Sequence, residues 1–177
     1  MRVVILPTEL EASNLAGQFI ADYINDNNNP VIGLATGGSV LLTYDALISS
    51  HKEGKLSFSK TVTFNLDEYI GLEPNHNQSY RQYMKKKLFD HIDIDQNKTF
   101  IPECFDNNFD LACSHYENEI KNHGGIGLQL LGIGSNGHIG FNEPTSSLQS
   151  RTRVKTLTKN TLSKNARFFE SHENQPS

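Results

Sequence analysis

Short apolar runs alternate with amphipathic segments along most of this chain, and that alternation restricts the fold more than any other feature. The runs lie at residues 2–6, 31–35, 61–66 and 125–133, the last with its apolar heart at 128–133. Near-continuous Val, Ile, Leu and Phe over a few residues is the signature of a strand buried on both faces. Between the runs, apolar side chains recur at three- and four-residue steps, as on one face of a helix. In residues 8–26 these are Leu10, Leu15, Ala16, Phe19, Ile20, Tyr23 and Ile24, and Asn27-Asn28-Asn29-Pro30 ends the pattern. Helices are also expected from Thr36-Gly37-Gly38-Ser39 to about residue 50, and over residues 79–89 and 111–122. Residues 154–158 are a candidate fifth strand, with a helix over 159–170 behind it. Strand and helix in turn imply an α/β fold: an open, mostly parallel, doubly wound, Rossmann-like sheet with helices on both faces.

A chain of 177 residues accommodates one domain with a sizeable core, spanning residues 1–177. A net charge of −4 with scattered basic residues is unlike a nucleic-acid footprint. No apolar run approaches the ~20 residues that cross a bilayer, and the run that opens at Arg2 is too short for a signal-peptide core. Cys104 and Cys113 match no metal-ligand spacing and make no disulfide framework, so they read as ordinary thiols of a cytoplasmic protein. Residues 171–177 are polar and follow a helix with no later strand to return to. The fold is therefore expected either to end in a floppy tail or to be incomplete at its C-terminal end.

Three of the strands end in polar residues, and in a parallel sheet those ends lie along one edge, where ligands bind. Thr36-Gly37-Gly38-Ser39 joins a strand to a helix. Its glycines let backbone amides approach an anion closely, and the helix N-terminus adds a favourable dipole. It suits a phosphate or carboxylate, or it is a tight turn with a Ser cap; without Gly-Lys-Ser/Thr it is not a P-loop. Asn65-Leu66-Asp67-Glu68-Tyr69 sets two acids after a strand, either as a general base tuned by partial burial or as a cap for the next helix. The third end, Gly134-Ser135-Asn136-Gly137-His138-Ile139-Gly140-Phe141-Asn142-Glu143-Pro144, carries an imidazole and a carboxylate five residues apart. Such a pair moves protons near neutral pH, unless His138 is a satisfied structural histidine. The other six histidines read as surface residues. Beyond this loop Arg151, Arg153 and Lys155 alternate, so Arg153 and Lys155 share a face of an extended segment, and Arg167 follows on a helix. They are cationic partners for an anion or a solvated charged face.

Four motifs in order resemble the glucosamine-6-phosphate deaminase family: Leu34-Ala35-Thr36-Gly37-Gly38-Ser39, Thr63 to Leu72, Gly134 to Pro144, and Ser150 to Thr158. The likeness runs from the first strand to about Phe169. It implies conversion of D-glucosamine 6-phosphate and water to D-fructose 6-phosphate and ammonia in N-acetylglucosamine catabolism, with no metal and no redox cofactor. By that resemblance Asp67 takes the C2 proton, and Glu68 is structural. His138 moves a proton during ring opening, and Glu143 with Asn136 orients it. Thr36, Gly37, Gly38 and Ser39 hold the phosphate, with Arg167 as a charged clamp. Ser146, Arg153, Lys155 and Thr156 match an allosteric N-acetylglucosamine 6-phosphate site between subunits of hexameric members, so an intact parent is expected to be a regulated homo-oligomer.

Two departures from the family pattern stand out. Some members carry Asp where this chain has Asn136; Asn holds His138 by hydrogen bonds but supplies no negative charge, which predicts an altered pH optimum. Members also continue well past this length, so the chain is expected to stop within a lid-like segment at about residues 153–177. The competing readings are an inactive remnant or sugar-phosphate sensor, and a 6-phosphogluconolactonase-like hydrolase. Lactone hydrolysis needs no base aimed at C2, which counts against the last.

Overall fold

Among the described residues the sheet has four strands, all parallel, in the order β3-β2-β1-β4. The structure, a computed structural model, describes residues 1–103, 108–147, 149–156 and 158. Chain order is α1 (Glu9–Asp26), β1 (Val31–Leu34), α2 (Leu41–Lys52, entered through a 3-10 turn at Gly38–Val40), β2 (Val62–Asn65), α3 (Tyr80–Lys87), β3 (Thr99–Phe100), α4 (Phe109–Asn122) and β4 (Leu128–Gln129).

Local chemistry sets the helix boundaries. Thr8 Oγ1 accepts the Glu11 N–H at 3.2 Å while the Glu11 carboxylate accepts the Thr8 N–H at 3.2 Å, a reciprocal capping box that starts α1. At its other end the Asn27 amide donates to Tyr23 O at 2.7 Å, and Pro30 cannot continue a helix. Ser79 caps α3 through the Gln82 N–H, and Asn108 caps α4 through the Leu111 N–H.

Period-2 alternation in β1 and β2 divides the core. Ile32 and Leu34 face one side, where Ile20, Ile24, Tyr44, Leu47, Phe58, Met84 and Leu88 pack around them. Val31, Val62 and Phe64 face the other, against Tyr116, with Phe100, Ile120 and Ile126 partly covered. The division follows from topology. The chain runs outward through β1, β2 and β3 with α2 and α3 as crossovers, then returns past β1 to β4 through α4. Right-handed crossovers put a returning helix on the opposite face. The direction therefore reverses between β1 and β4, and the loops leaving their C-terminal ends flank a crevice.

The structure departs from the sequence reading in four places. Residues 2–6 form no strand: they find no ladder partner, and Val3, Val4 and Ile5 are exposed. The strand expected over 128–133 is only Leu128–Gln129, with Leu131 45% and Ile133 78% exposed, because β1 is its one neighbour and ends at Leu34. No strand is formed at residues 154–156 or 158. Conversely β3, two residues long, is too short to show any periodicity in sequence. The helix expected over 159–170, and Arg167 and Cys104, lie outside the described residues. Among those described, no helix is long and apolar enough to cross a membrane.

Leu34 is fully buried in β1, among the side chains that carry the larger core. Leu34→Ala is expected to cost about 3–4 kcal/mol, the transfer term plus a cavity that a rigid parallel sheet cannot collapse. Urea unfolding checks this as a lowered midpoint at unchanged slope.

Candidate active site

Asp67 follows directly from the end of β2 and lies beneath the loop that follows β4. The Phe141 N–H donates to its carboxylate. Gly140, at φ +58°, approaches so closely that a Cβ there would sit 2.7 Å from Asp67 Oδ2 and 2.3 Å from Leu66 Cδ2. Burial raises the Asp67 carboxyl from its ordinary 3.8 to about 7, the Phe141 N–H opposing the rise and the neighbouring Glu68 charge adding to it. Asp67 is thus a carboxylate poised to take up and give back a proton near neutrality.

Glu68 faces the other way. One of its oxygens accepts the Tyr69 N–H at 2.8 Å and the Tyr80 N–H at 2.9 Å, and the other accepts the Arg81 N–H at 3.0 Å. It therefore caps α3 from twelve residues upstream and anchors the chain beside Asp67. Burial raises its carboxyl, with the three N–H groups and Arg81 opposing.

The loop after β4 turns back sharply. The Gly134 N–H donates to His138 O at 2.8 Å and the Gly137 N–H to Gly134 O at 2.9 Å, with Gly137 at φ +87°. The His138 ring lies against the Gly134 backbone, since a Cβ on Gly134 would be 2.2 Å from Cε1. His138 Nδ1–H donates to Asn136 Oδ1 at 2.6 Å, and Asn136 Nδ2 donates to Glu143 Oε2 at 2.9 Å. The other oxygen of buried Glu143 accepts from Thr158 N at 3.3 Å and Oγ1 at 2.9 Å. Asn136 thus relays between carboxylate and imidazole. Its orientation is set by having a donor on one side and an acceptor on the other. With the proton on Nδ1, the Nε2 lone pair of a neutral His138 is free to take a proton.

The Thr36-Gly37-Gly38-Ser39 turn leaves β1 on the same edge. Gly37 has φ +108° and ψ 176°, and a Cβ on Gly37 or Gly38 would meet nothing within 4 Å, so the turn opens onto free space. No side chain caps it. Three tyrosines hold it from behind: Tyr44 donates to Ala35 O, Tyr83 to Gly37 O at 2.6 Å, and the Tyr80 hydroxyl bonds the Thr36 side chain. Ser39 reaches toward the loop after β4, its Oγ 3.6 Å from where a Cβ on Gly132 would lie.

The segment after the His138 loop is fastened to α4. Glu117 accepts from Thr152 N and Oγ1, each at 2.9 Å, and from Arg151 at 3.3 Å. Burial works to raise the Glu117 carboxyl, but those donors outweigh it and hold it below its ordinary range. Arg153 reaches the Asn142 side chain at 3.1 Å, one residue from Glu143. Arg153, Lys155 and Thr156 share the lining of a cavity of about 980 Å³ that also touches Asp67 and Phe141.

Asp67, Asn136, His138 and Glu143 are therefore gathered around the loop after β4, and Thr36 to Ser39 lie across the crevice. Arg153, Lys155 and Thr156 share one wall, from which Ser146 is absent, while Ser146 N–H donates to Glu143 O at 3.0 Å. Arg167 lies outside the described residues. Sequence reasoning missed Tyr80, Tyr83, Gly140 and Glu117, whose roles are contacts between distant segments; the i, i+3 spacing of the two tyrosines showed only that they share a helix face. It also placed His51 and His123 on the surface. Both are half-buried, His51 bonded to Leu56 O at 2.9 Å and His123 packed edge-on against Phe64. Among the described residues no three His, Cys, Asp or Glu side chains cluster as metal ligands.

A family model described as glucosamine-6-phosphate isomerases/6-phosphogluconolactonase matches residues 9–166. A glucosamine-6-phosphate deaminase of Shewanella halifaxensis is 52% identical over 99% of the chain and 67% of its own length. One of Clostridium perfringens is 46% identical over 99% of the chain and 73% of its own. The chain spans about two thirds of the length of the Shewanella halifaxensis protein and of a glucosamine-6-phosphate deaminase of Colwellia psychrerythraea. Among solved structures, a monomeric glucosamine-6-phosphate deaminase superposes with TM-score 0.96 at 43% identity, covering 100% of this chain and 73% of the other. A 6-phosphogluconolactonase from Trypanosoma brucei, at 18% identity and TM-score 0.64 over 85% of this chain and 73% of its own, shares the fold.

Folded Asp67 holds its proton up to about pH 7, whereas the unfolded carboxyl loses it near 3.8. Between those values the native state binds more protons, so stability falls as pH rises through that window. Asp67→Asn is expected to match the parent in melting temperature at pH 3 and exceed it at pH 8. Equal pH dependence in the two proteins would refute this.

Proposed function

Since the chain belongs to the family of glucosamine-6-phosphate isomerases and 6-phosphogluconolactonases, we propose that it deaminates D-glucosamine 6-phosphate, giving D-fructose 6-phosphate and ammonia with uptake of one water. The observation that carries this reading is Asp67, a carboxyl held near neutrality under the loop that bears His138.

The phosphate sits on the amides of Thr36 to Ser39, where the helix dipole favours an anion, with Arg167 as a charged clamp. His138 Nε2 takes the proton of the anomeric hydroxyl and returns it to the ring oxygen, which opens the ring to the aldehyde. Glu143 acts on this step through Asn136, whose carbonyl keeps the proton on Nδ1. Asp67 then removes the C2 proton while a proton passes from the substrate's ammonium group to O1, and the electrons of the C–H bond form the C1–C2 double bond of an enolamine. Returned to C1, that proton gives an imine at C2, and water adds there and expels ammonia. A group titrating near 7 is suited to both halves of such a transfer. Lactone hydrolysis needs no base aimed at C2, and the lactonase likeness is one of fold.

The cavity wall of Arg153, Lys155 and Thr156, with Ser146, is proposed to take a second sugar phosphate, N-acetylglucosamine 6-phosphate, as a regulator. Arg153 is already joined to Asn142 in the catalytic loop. A homo-oligomeric, cytoplasmic enzyme is the setting we propose, and sedimentation of the purified protein decides the first of these.

Ammonia release from glucosamine 6-phosphate tests the reaction: the parent is expected to be active and Asp67→Asn to lose about 10³-fold or more, the scale of removing a general base. Binding without ammonia release would instead mark a sensor, and hydrolysis of 6-phosphogluconolactone the other branch of the family. In Asn136→Asp a carboxylate replaces the relay amide beside Glu143 and His138. The pH–rate profile of that variant is expected to move to higher pH, since the added charge favours the imidazolium. A profile superimposable on the parent's would show that Asn136 does not tune the site.

A further inference from the structure

We propose that Tyr80 and Tyr83, one turn apart on α3, are positioning residues that hold the Thr36 to Ser39 turn at a set distance from Asp67. They would thereby set affinity for the phosphate end of the substrate. The inference rests on the deaminase reading above and deepens it.

The two ends of the site belong to different strands, Asp67 to the end of β2 and the turn to the end of β1. Register pairs Leu34 with Asn65, but beyond those residues no ladder bond joins the segments. What joins them is α3. Its N-terminus is fastened beside Asp67 by Glu68, which accepts the Tyr80 and Arg81 N–H groups. From that anchored first turn Tyr80 and Tyr83 project on one face. The Tyr80 hydroxyl bonds the Thr36 side chain and Tyr69, and its ring packs 5.0 Å from Tyr69 and 5.7 Å from Phe141. Tyr83 Oη donates to Gly37 O at 2.6 Å.

That second contact acts on the anion site directly. In a trans peptide the C=O and the following N–H point to opposite sides of one rigid plane. Gripping the Gly37 carbonyl from the α3 side therefore turns the Gly38 N–H away from α3, toward the open side of the turn. Gly37 needs such a grip. At φ +108° and ψ 176° it occupies a region that glycine enters readily and leaves as readily. A Cβ on Gly37 or Gly38 would meet nothing within 4 Å, so no side chain packs against them on that side. Tyr83 is thus the side-chain contact that holds this peptide plane from the α3 side, in addition to the backbone bonds of the 3-10 turn that follows it, while Tyr80 ties the same turn to the wall of the Asp67 pocket.

The experiment uses the full chain, with Tyr83→Phe, Tyr80→Phe and the double variant. The readouts are calorimetric Kd for fructose 6-phosphate and for inorganic phosphate, KM and kcat for ammonia release, and melting temperature. Tyr83→Phe keeps the ring and loses only the grip. Its Kd for both anions and its KM are expected to rise about five- to tenfold, the scale of one hydrogen bond, with kcat within about twofold. Its melting temperature should stay within a few degrees of the parent's, which separates positioning from general destabilisation. The double variant should lose more than either single one. Unchanged anion affinity in Tyr83→Phe overturns the proposal, as does affinity lost only in proportion to folded protein. A parent that binds both anions but releases no ammonia defeats the deaminase reading and leaves the Tyr83 comparison intact in the Kd values. A parent that binds neither anion overturns the positioning role itself.

Discussion

The carboxylate of Glu68 is the contact on which the rest of the site depends. It is largely enclosed, and an enclosed carboxylate with no partners would be costly. Here it has three backbone N–H partners, two of them from the first turn of α3, where the helix carries unsatisfied donors and a positive partial charge. The interaction therefore serves both sides: it solvates a half-buried charge and completes a helix. Its structural result is a fixed joint between the end of β2, which carries Asp67, and α3, which carries Tyr80 and Tyr83. Without that joint Asp67 and the Thr36 to Ser39 turn would be set only by two loops.

A second constraint comes from topology. Because the chain reverses direction across the sheet between β3 and β4, α4 lies on the face opposite α1, α2 and α3. The loop after β4 consequently arrives at the crevice from the other side and folds down over Asp67. Its glycines allow the approach: Gly140 brings backbone within contact of Asp67, and Gly134 leaves room for the His138 ring. The same segment then continues to Thr152, where Glu117 of α4 fastens it. Through Arg153 and Asn142 the fastened segment is connected to the loop that holds His138. His138, Asp67 and the basic wall of the large cavity thus belong to one connected body.

The price of the site is visible in Asp67. A carboxyl moved to about 7 by burial is a carboxyl whose ionisation opposes folding at neutral pH. The loop contributes one compensating N–H, from Phe141, rather than the three that Glu68 receives. Two adjacent acids are treated in opposite ways, one satisfied and one left short of partners. Their environments, not their side-chain types, separate a carboxylate held by three N–H groups from one that burial raises to about 7.

Much of the plan was legible in the residues. Alternating apolar runs and amphipathic segments implied an open parallel α/β sheet. The boundaries of α1, β1, α2, β2 and α4 fall within a few residues of those the periodicity and breakers indicate, because these elements bury a repeating face. The three polar strand ends could be assigned to one edge for the same reason. Short or edge elements were not legible: β3 has only two residues, and residues 2–6 read as a strand only because apolar composition cannot reveal whether a ladder partner exists. The side-chain relay was not legible either. Nothing in the spacing of residues 136, 138 and 143 says that Glu143 touches Asn136 rather than His138, or that Tyr83 holds Gly37 from 46 residues away. By itself the sequence determined which segments would be strands and helices and which residue types would meet at their ends, since those follow from local period and turn chemistry. Only the tertiary structure decided which acid is solvated by backbone and which is stranded, because burial and hydrogen-bond partners are properties of how distant segments pack.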